Sequence, residues 1–334
     1  MDIFILGIES SCDETSAAIL RNGEILSNII ATQSIHKNYG GVVPELASRA
    51  HQSNIIPTVR KALFEANIHK SQLNAVAFTR GPGLLGSLLV GVSFAKAMAL
   101  GLDIKLIDVN HMQAHILAHF IDDPKPDFPF LCLTASGGHT QIVLVKDYLD
   151  MEVIGTTQDD AVGEAFDKAA KMLNFPYPGG PLLDKNAKDG NPDAFKFPYT
   201  SMPGLSFSFS GIKTAFLYFL RDETKKNAQF IEQHLNDICA SMQRHLVKML
   251  LEKLIKASDQ TGIKNIAIAG GVAANSDLRT QLQIEADKKR WKTFIPAFQY
   301  CTDNAAMIAI AGYFKFKSGD FASLDVEPQP RLKF

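Results

Sequence analysis

The chain has 334 residues, 46% of them apolar, and its 34 basic residues nearly balance 35 acidic ones. That length buries a large core and exceeds one simple domain, so two domains are expected. The near-neutral charge excludes a protein that holds nucleic acid by bulk charge alone; any such contact must use a local patch or a partner.

The first predicted element is the apolar run Phe4 to Ile8, followed by a polar turn from Glu9 to Thr15 and a second apolar run, Ser16 to Leu20. Asn22-Gly23 then predicts a tight hairpin into a third strand, because that pair accepts the positive φ angles of a type I′ turn. The opening "MDIFILGIESS" lacks a basic leader segment and does not read as a signal peptide. "NAVAFTRGPGLLGSLLVGVSFAKAMAL" reads as strand, glycine turn and helix. Its apolar part, Gly83 to Gly101, contains Lys96 and recurring small residues, so a buried helix is expected there and not a membrane span. "IKLIDVNHMQAHILAH" is a strand followed by a helix that carries His111 and His115.

From residue 130 the pattern repeats. "FPFLCLTASGGHTQIVLVKDYLDMEVIG" gives an apolar run, a small-residue turn and another apolar run; "KNIAIAGGVAANSDLRTQLQIEA" gives strand, glycine turn and helix; "KTFIPAFQYCTDNAAMIAIAGYF" gives strand and helix. Each half reads as three strands, helix, strand, helix, strand, helix, which implies a duplicated α/β fold whose alternating tail forms parallel strands. The expected division is 1–108 with 304–334 as one lobe and 109–303 as the other. The second lobe carries a helical and aromatic insertion over about 156–233. The turns Glu9 to Thr15 and Ser136 to Thr140 are expected to line a cleft between the lobes. Turns rich in Ser, Gly and Thr expose N–H groups and hydroxyls that suit a phosphate, and the Gly270-Gly271 turn adds a helix N-terminus.

On a helix, residues four apart lie about 5–6 Å from each other, so His111 and His115 can share one ion given a further ligand. The repeat supplies one, since the equivalent helix start in the second half, "CTDNAAM", carries Asp303. Two His and one carboxylate suit iron(II) or zinc with open positions. The peptidase motif H-E-x-x-H needs a glutamate where this chain has Met112, so a peptidase is disfavoured. The basic runs "KKRWK" and "RDETKKN" read first as solvated helix faces. The four cysteines (Cys12, Cys132, Cys239, Cys301) show no C-x-x-C spacing, which suits a reducing, cytoplasmic setting.

Ten stretches together resemble one family. They are "GIESSCDETS", "GGVVPELASRAH", "GPGLLGSLLVG", "NHMQAH", "SGGHTQ", "EAFDKAAK", "YPGGPLLDKNA", "LSFSFSGIKTA", "GGVAAN" and "CTDNAAMIA". In this order, over about residues 6–313, the chain resembles the tRNA adenosine threonylcarbamoyltransferases, formerly labelled O-sialoglycoprotein endopeptidases. The resemblance implies a duplicated, two-lobed actin/sugar-kinase-like fold (ribonuclease H-like, the ASKHA class) with its active site in the inter-lobe cleft. It implies transfer of threonylcarbamoyl from threonylcarbamoyl-adenylate to N6 of adenosine 37, in tRNAs reading codons that begin with A, with release of AMP. It places metal ligands on His111, His115 and Asp303, with Fe2+ ahead of Zn2+. It places substrate contacts on Thr134, Ala135, Ser136, Gly137 and Gly138, and nucleotide-side contacts on Asp167, Gly180, Asp184 and Asn275. The implied partners are tRNA, a catalytically inactive paralogue, a small ATPase and the enzyme that makes the adenylate, with no membrane. One departure is Gln113-Ala114, where bacterial members often have Glu-Gly; neither position is a ligand by spacing. Glu9 and Asp13 fall in the same cleft by the logic of the repeat; either is expected to relay the amine proton, or both to cap the turn. The rival readings are a small-molecule ATP-dependent kinase of the same fold and an inactive scaffold paralogue. The histidine pair disfavours the first, because hard magnesium prefers oxygen ligands, and the intact ligand set disfavours the second.

Overall fold

The computed structural model describes residues 2–198 and 202–334. Residues 199–201, which open the expected serine-rich stretch of the insertion, lie outside the described residues. In chain order the elements are β1 (Phe4–Glu9), β2 (Glu14–Arg21), β3 (Glu24–Thr32), α1 (Pro44–Glu65), β4 (Ala75–Gly81), α2 (Leu85–Leu102), β5 (Lys105–Asn110) and α3 (His111–Leu117). Then come β6 (Phe130–Ala135), β7 (Thr140–Asp147), β8 (Asp150–Thr156), α4 (Val162–Met172), α5 (Gly180–Ala187), α6 (Ser210–Lys226), α7 (Phe230–Gln233) and α8 (Leu235–Thr261). The last elements are β9 (Asn265–Ala269), α9 (Ser276–Lys289), β10 (Lys292–Phe294) and α10 (Ala305–Ser318).

The chain forms two compact units, Met1–Pro126 with Asp147–Asp150 and Pro296–Phe334, and Asp127–Lys146 with Met151–Ile295. Each holds one five-stranded sheet, in the order β3-β2-β1-β4-β5 and β8-β7-β6-β9-β10. Pairing directions also repeat. β1 runs antiparallel to β2 and parallel to β4, which is parallel to β5; β6 runs antiparallel to β7 and parallel to β9, which is parallel to β10. The duplication read from the pattern is therefore real at the level of topology, and the insertion is the set α4 to α7. The Asn22-Gly23 turn has φ of 53° and 93°, the sign a type I′ hairpin needs.

In the first unit, strand alternation sorts the sheet into two buried faces. Leu6, Ile8, Ala17, Ile19, Val76, Phe78 and Leu106 pack with Ile55 and Val59 of α1 and Val92 and Ala95 of α2. The alternate residues face α10. Gly7 is seated so closely that a Cβ there would lie 2.4 Å from the Ala305 carbonyl oxygen. The same alternation puts Glu9 and Thr79, which follow Gly7 and Ala77 in step, on the α10 side at the C-terminal ends of parallel strands. Open α/β sheets carry their ligand sites at such ends.

The units part at 126/127 and 295/296, where the repeat suggested 108/109 and 303/304. β5 passes into α3 with no linker. Asn110 ends the strand and caps the helix, its Oδ1 accepting from the N–H of Met112 and Gln113 at 2.9 and 3.3 Å. α3 then packs on α10, so residues 109–126 belong with the first sheet. The chain after α10 returns over the β4–α2 turn, where Gly83 N–H donates to the Pro330 carbonyl (3.1 Å), and Asn110 Nδ2 donates to the Lys333 carbonyl (3.0 Å). Asp108 ties the same edge together, accepting from Lys315 Nζ (2.8 Å) and Arg80 Nη1 (3.1 Å).

Helix α2 is less buried than its composition suggested. By length and composition alone it is long and apolar enough to cross a membrane, yet its Ser87, Leu88, Gly91, Val92, Ala95 and Ala99 side packs into the first unit. Leu85, Leu89 and Leu100 on its other side are exposed.

Candidate metal centre and anion-binding turn

The three expected ligands come together in the first unit. His111 and His115 lie one turn apart on α3, and Asp303 precedes Asn304, the N-cap of α10, whose side chain accepts from Met307 N–H. α10 is held in place at its first turn by Ala305 N–H donating to Ser16 Oγ at 2.8 Å. Asp303 Oδ1 lies 3.3 Å from His111 Nε2 and 3.2 Å from His115 Nε2, and the ligand atoms of all three residues fall within 4.8 Å of one another. Around one ion with bonds of about 2.1 Å, neighbouring ligand atoms sit about 3.0 Å apart in octahedral and about 3.4 Å in tetrahedral geometry. The two spacings to Asp303 fall between these values, so its carboxylate oxygen and each histidine nitrogen stand at distances that suit ligands of one divalent ion.

Electrostatics points the same way. Burial favours the neutral form of His111, but Asp303 and Glu9 on either side of the ring outweigh it and hold the imidazole well above its ordinary pKa. Burial likewise opposes charge on Asp303 and Glu9, and His111 overcomes it, keeping both carboxyls below their usual range. Nearby, burial together with Asp303 and Asp13 pushes Glu14 up to about 9. The two histidines and the surrounding carboxyls therefore shift one another's charge strongly, as an acidic cluster around two imidazoles should.

Glu9, expected as a proton relay, lies beside His111. It is wholly buried, and its carboxylate accepts from Ser11 N–H through Oε1 and from Thr79 Oγ1 (2.7 Å) through Oε2, which also lies 3.0 Å from His111 Nδ1. It thus faces His111 Nδ1 and not the solvent. Asp13 lies in the bend before β2 and is half-buried. Cys12 beside it stays a thiol, because burial and then Asp13 and Asp303 push its pKa far up, which leaves no thiolate nucleophile. Gln113 and Ala114 sit between the two histidines on α3, and neither supplies a ligand atom.

The expected substrate residues lie in the second unit. Thr134 and Ala135 close β6 and are buried, whereas Gly137 and Gly138 are exposed with open space where a Cβ would stand. Of these residues, Gly137 and Gly138, in the turn that begins at Ser136, are therefore the ones open to a ligand. The turn is stitched by reciprocal bonds between Ser136 and His139, Ser136 N–H to the His139 carbonyl (2.8 Å) and His139 N–H to Ser136 Oγ (3.2 Å). Gly163 at the start of α4 supports it from below, its N–H donating to the Ser136 carbonyl at 3.2 Å. Asp167 Oδ1 accepts from the N–H groups of Gly179 and Gly180 at 3.0 Å, and Asp184 Oδ1 accepts from Ser276 N–H (3.1 Å) and Oγ (2.7 Å). Asn275 is occupied at both ends: it caps α9 through Leu278 N–H (2.9 Å) and donates to Gln243 Oε1 (2.9 Å). Its place is consistent with a contact through the adjacent backbone, not through a spare side-chain group.

Sequence reasoning missed Thr79, Ser11 and Gly163 as parts of these sites. Asn110 was legible as an N-cap residue directly before the histidine helix, but nothing local marks Thr79 or Gly163. The two basic runs are largely compensated, Lys288 by Glu285 (2.7 Å), Lys289 by Asp259 (3.1 Å), Lys292 by Asp127 (3.0 Å) and Lys226 by Glu223 (2.7 Å). Solvated faces describe them better than a nucleic-acid patch.

A family model described as tRNA N6-adenosine threonylcarbamoyltransferase matches residues 24–310. The protein of that name from Cytophaga hutchinsonii is 62% identical over 333 residues, covering 100% of this chain and 97% of the relative. Among solved structures, full-length HypF in its phosphate- and nucleotide-bound form aligns with a TM-score of 0.62 at 12% identity, over 96% of this chain and 47% of that one. The ROK hexokinase from Thermus thermophilus aligns at 0.50 and 14% identity, over 95% and 100%. At these identities the structural likeness shows the fold alone, an actin/sugar-kinase-like one.

Proposed function

Because the chain belongs to the tRNA N6-adenosine threonylcarbamoyltransferase family, and so is a tRNA-modifying acyltransferase, we propose that it moves threonylcarbamoyl from threonylcarbamoyl-adenylate to N6 of adenosine 37 and releases AMP. The observation that carries the metal part of this reading is the convergence of His111 Nε2 and His115 Nε2 on Asp303 Oδ1. These three residues hold one divalent ion, Fe2+ in preference to Zn2+. When bound, the ion supplies Lewis acidity to an oxygen of the activated substrate.

The adenine amine is a weak nucleophile, since its lone pair is delocalised into the ring, and AMP must leave as an anion. The N–H groups of Gly137 and Gly138, the exposed part of that turn, are assigned to hold that anion, as preorganised donors stabilise developing charge. Both protein contacts of Asp167 and of Asp184 run through Oδ1; Oδ2 of each is assigned to a ribose hydroxyl. Gly180 and Asn275 flank those carboxylates and shape the nucleotide side. Asp13 is assigned to take the amine proton. Near-neutral charge and paired basic runs support help from partner proteins in holding tRNA. The exposed Leu85, Leu89 and Leu100 of α2, with Ile56 and Phe64 of α1, support a protein covering that face. The proposed partners are an inactive paralogue and a small ATPase, with a separate enzyme supplying the adenylate. The four cysteines are free, which suits the cytoplasm as the site of the reaction.

The test is to incubate the chain and its partners with preformed threonylcarbamoyl-adenylate and unmodified tRNA, then digest and weigh the nucleosides. Threonylcarbamoylated adenosine is expected. Recovery of unmodified adenosine alone, with the adenylate consumed or untouched, would sink the reading.

A further inference from the structure

We infer that Glu9 is a positioning residue that fixes which nitrogen of His111 faces the metal. This rests on the metal reading above. His111 is approached on both ring nitrogens, by Glu9 Oε2 at Nδ1 (3.0 Å) and by Asp303 Oδ1 at Nε2 (3.3 Å). The ring has two ways to meet an ion, and only one leaves Nε2 bare beside His115 Nε2. A carboxylate behind Nδ1 selects that one, since Nδ1–H donates to it, and it also raises the basicity of the ligating nitrogen.

The geometry around Glu9 shows a carboxylate built for this. Both of its oxygens receive donors from rigid elements: Ser11 N–H in the turn after β1 on Oε1, and Thr79 Oγ1 at the end of β4 on Oε2. Those bonds leave the side chain one orientation, with Oε2 aimed at His111. A glutamine in its place has one acceptor and one donor at its tip. Turning the amide oxygen to His111 sets the NH2 group against Ser11 N–H; the reverse turn sets it against Nδ1–H and Thr79.

The other histidine receives no such help. His115 Nδ1 is buried with no hydrogen-bond partner, and its ring meets His111 edge-to-face with centroids 4.7 Å apart. His115 is placed by packing, partly against His111 itself, so the orientation that Glu9 imposes on one ring also steadies the other.

The test uses the full chain, metal-stripped under anaerobic conditions, and Co2+ as the probe. The parent is expected to bind one equivalent with a visible ligand-field spectrum. Glu9→Gln is expected to stay folded, bind Co2+ about 10- to 100-fold more weakly and give an altered spectrum. A folded Glu9→Gln chain with parental affinity and spectrum would overturn the positioning role. A parent that binds no Co2+ would instead overturn the metal reading, so the two failures are distinct. Should Glu9→Gln fail to fold, histidine 15N spectra of the Zn2+-loaded parent decide. His111 protonated at Nδ1 and bare at Nε2 supports the role; metal on Nδ1 with Nε2 protonated contradicts it.

Discussion

Asp303→Ala is expected to abolish metal retention and to lower the rate of tRNA modification by on the order of 100- to 1000-fold. That figure follows if the ion supplies several kcal/mol to the transition state and each 1.36 kcal/mol is tenfold. Asp303 Oδ1 lies near both histidine Nε2 atoms, at 3.2 and 3.3 Å. Removing it deletes the proposed carboxylate ligand and also one of the two carboxyls, with Glu9, that raise the pKa of His111. The fold should survive, because the first turn of α10 is held by Asn304 and by Ser16 Oγ, not by Asp303. Elemental analysis and nucleoside mass spectrometry check the two effects together. A variant that loses its metal but keeps its rate would separate the ion from the reaction.

Gly163→Ala tests the other half of the account, in the second unit. A Cβ at Gly163 would stand 2.4 Å from the Ser136 carbonyl oxygen and 2.9 Å from Gly137 Cα, both main-chain atoms of the turn proposed to bind the anion. No side chain can rotate away to relieve the clash, so the turn itself must shift. A misplacement of the order of 1 Å costs about 100-fold when it disturbs reacting geometry. The expected result is a KM for the adenylate raised at least about tenfold, with metal content unchanged and about 1–3 kcal/mol of stability lost to overpacking. An unchanged KM in a folded variant would remove the Ser136 to Gly138 turn from the substrate site. The two substitutions should therefore dissociate, one losing metal and the other losing substrate affinity.

Much of this arrangement was legible in the sequence because the duplication is written in period and order. Three strands ahead of helix-strand alternation specified both sheets, and Asn22-Gly23 specified its hairpin through the φ angles it tolerates. The metal set was legible by combining a local signal, the i,i+4 histidines, with the repeat, which paired their helix with the one after Asp303. Three features were not legible, each for a physical reason. The unit that α3 joins is decided by packing against α10, a contact between residues nearly 200 positions apart in the chain. The role of Glu9 depends on strand alternation bringing Thr79 and His111 to the same face, and no short motif encodes that neighbourhood. The exposed side of α2 reads as core by composition, because composition alone does not say which face of an apolar helix packs into the chain.

The most direct measurement is the rate of threonylcarbamoyl transfer by the full chain and its partners, from preformed adenylate to tRNA, before and after anaerobic removal of metal by a chelator. The account predicts that the stripped protein is inactive and that one equivalent of Fe2+ restores transfer. It predicts no such restoration for Asp303→Ala. Transfer at the full rate by a chain shown by elemental analysis to hold no metal would contradict it.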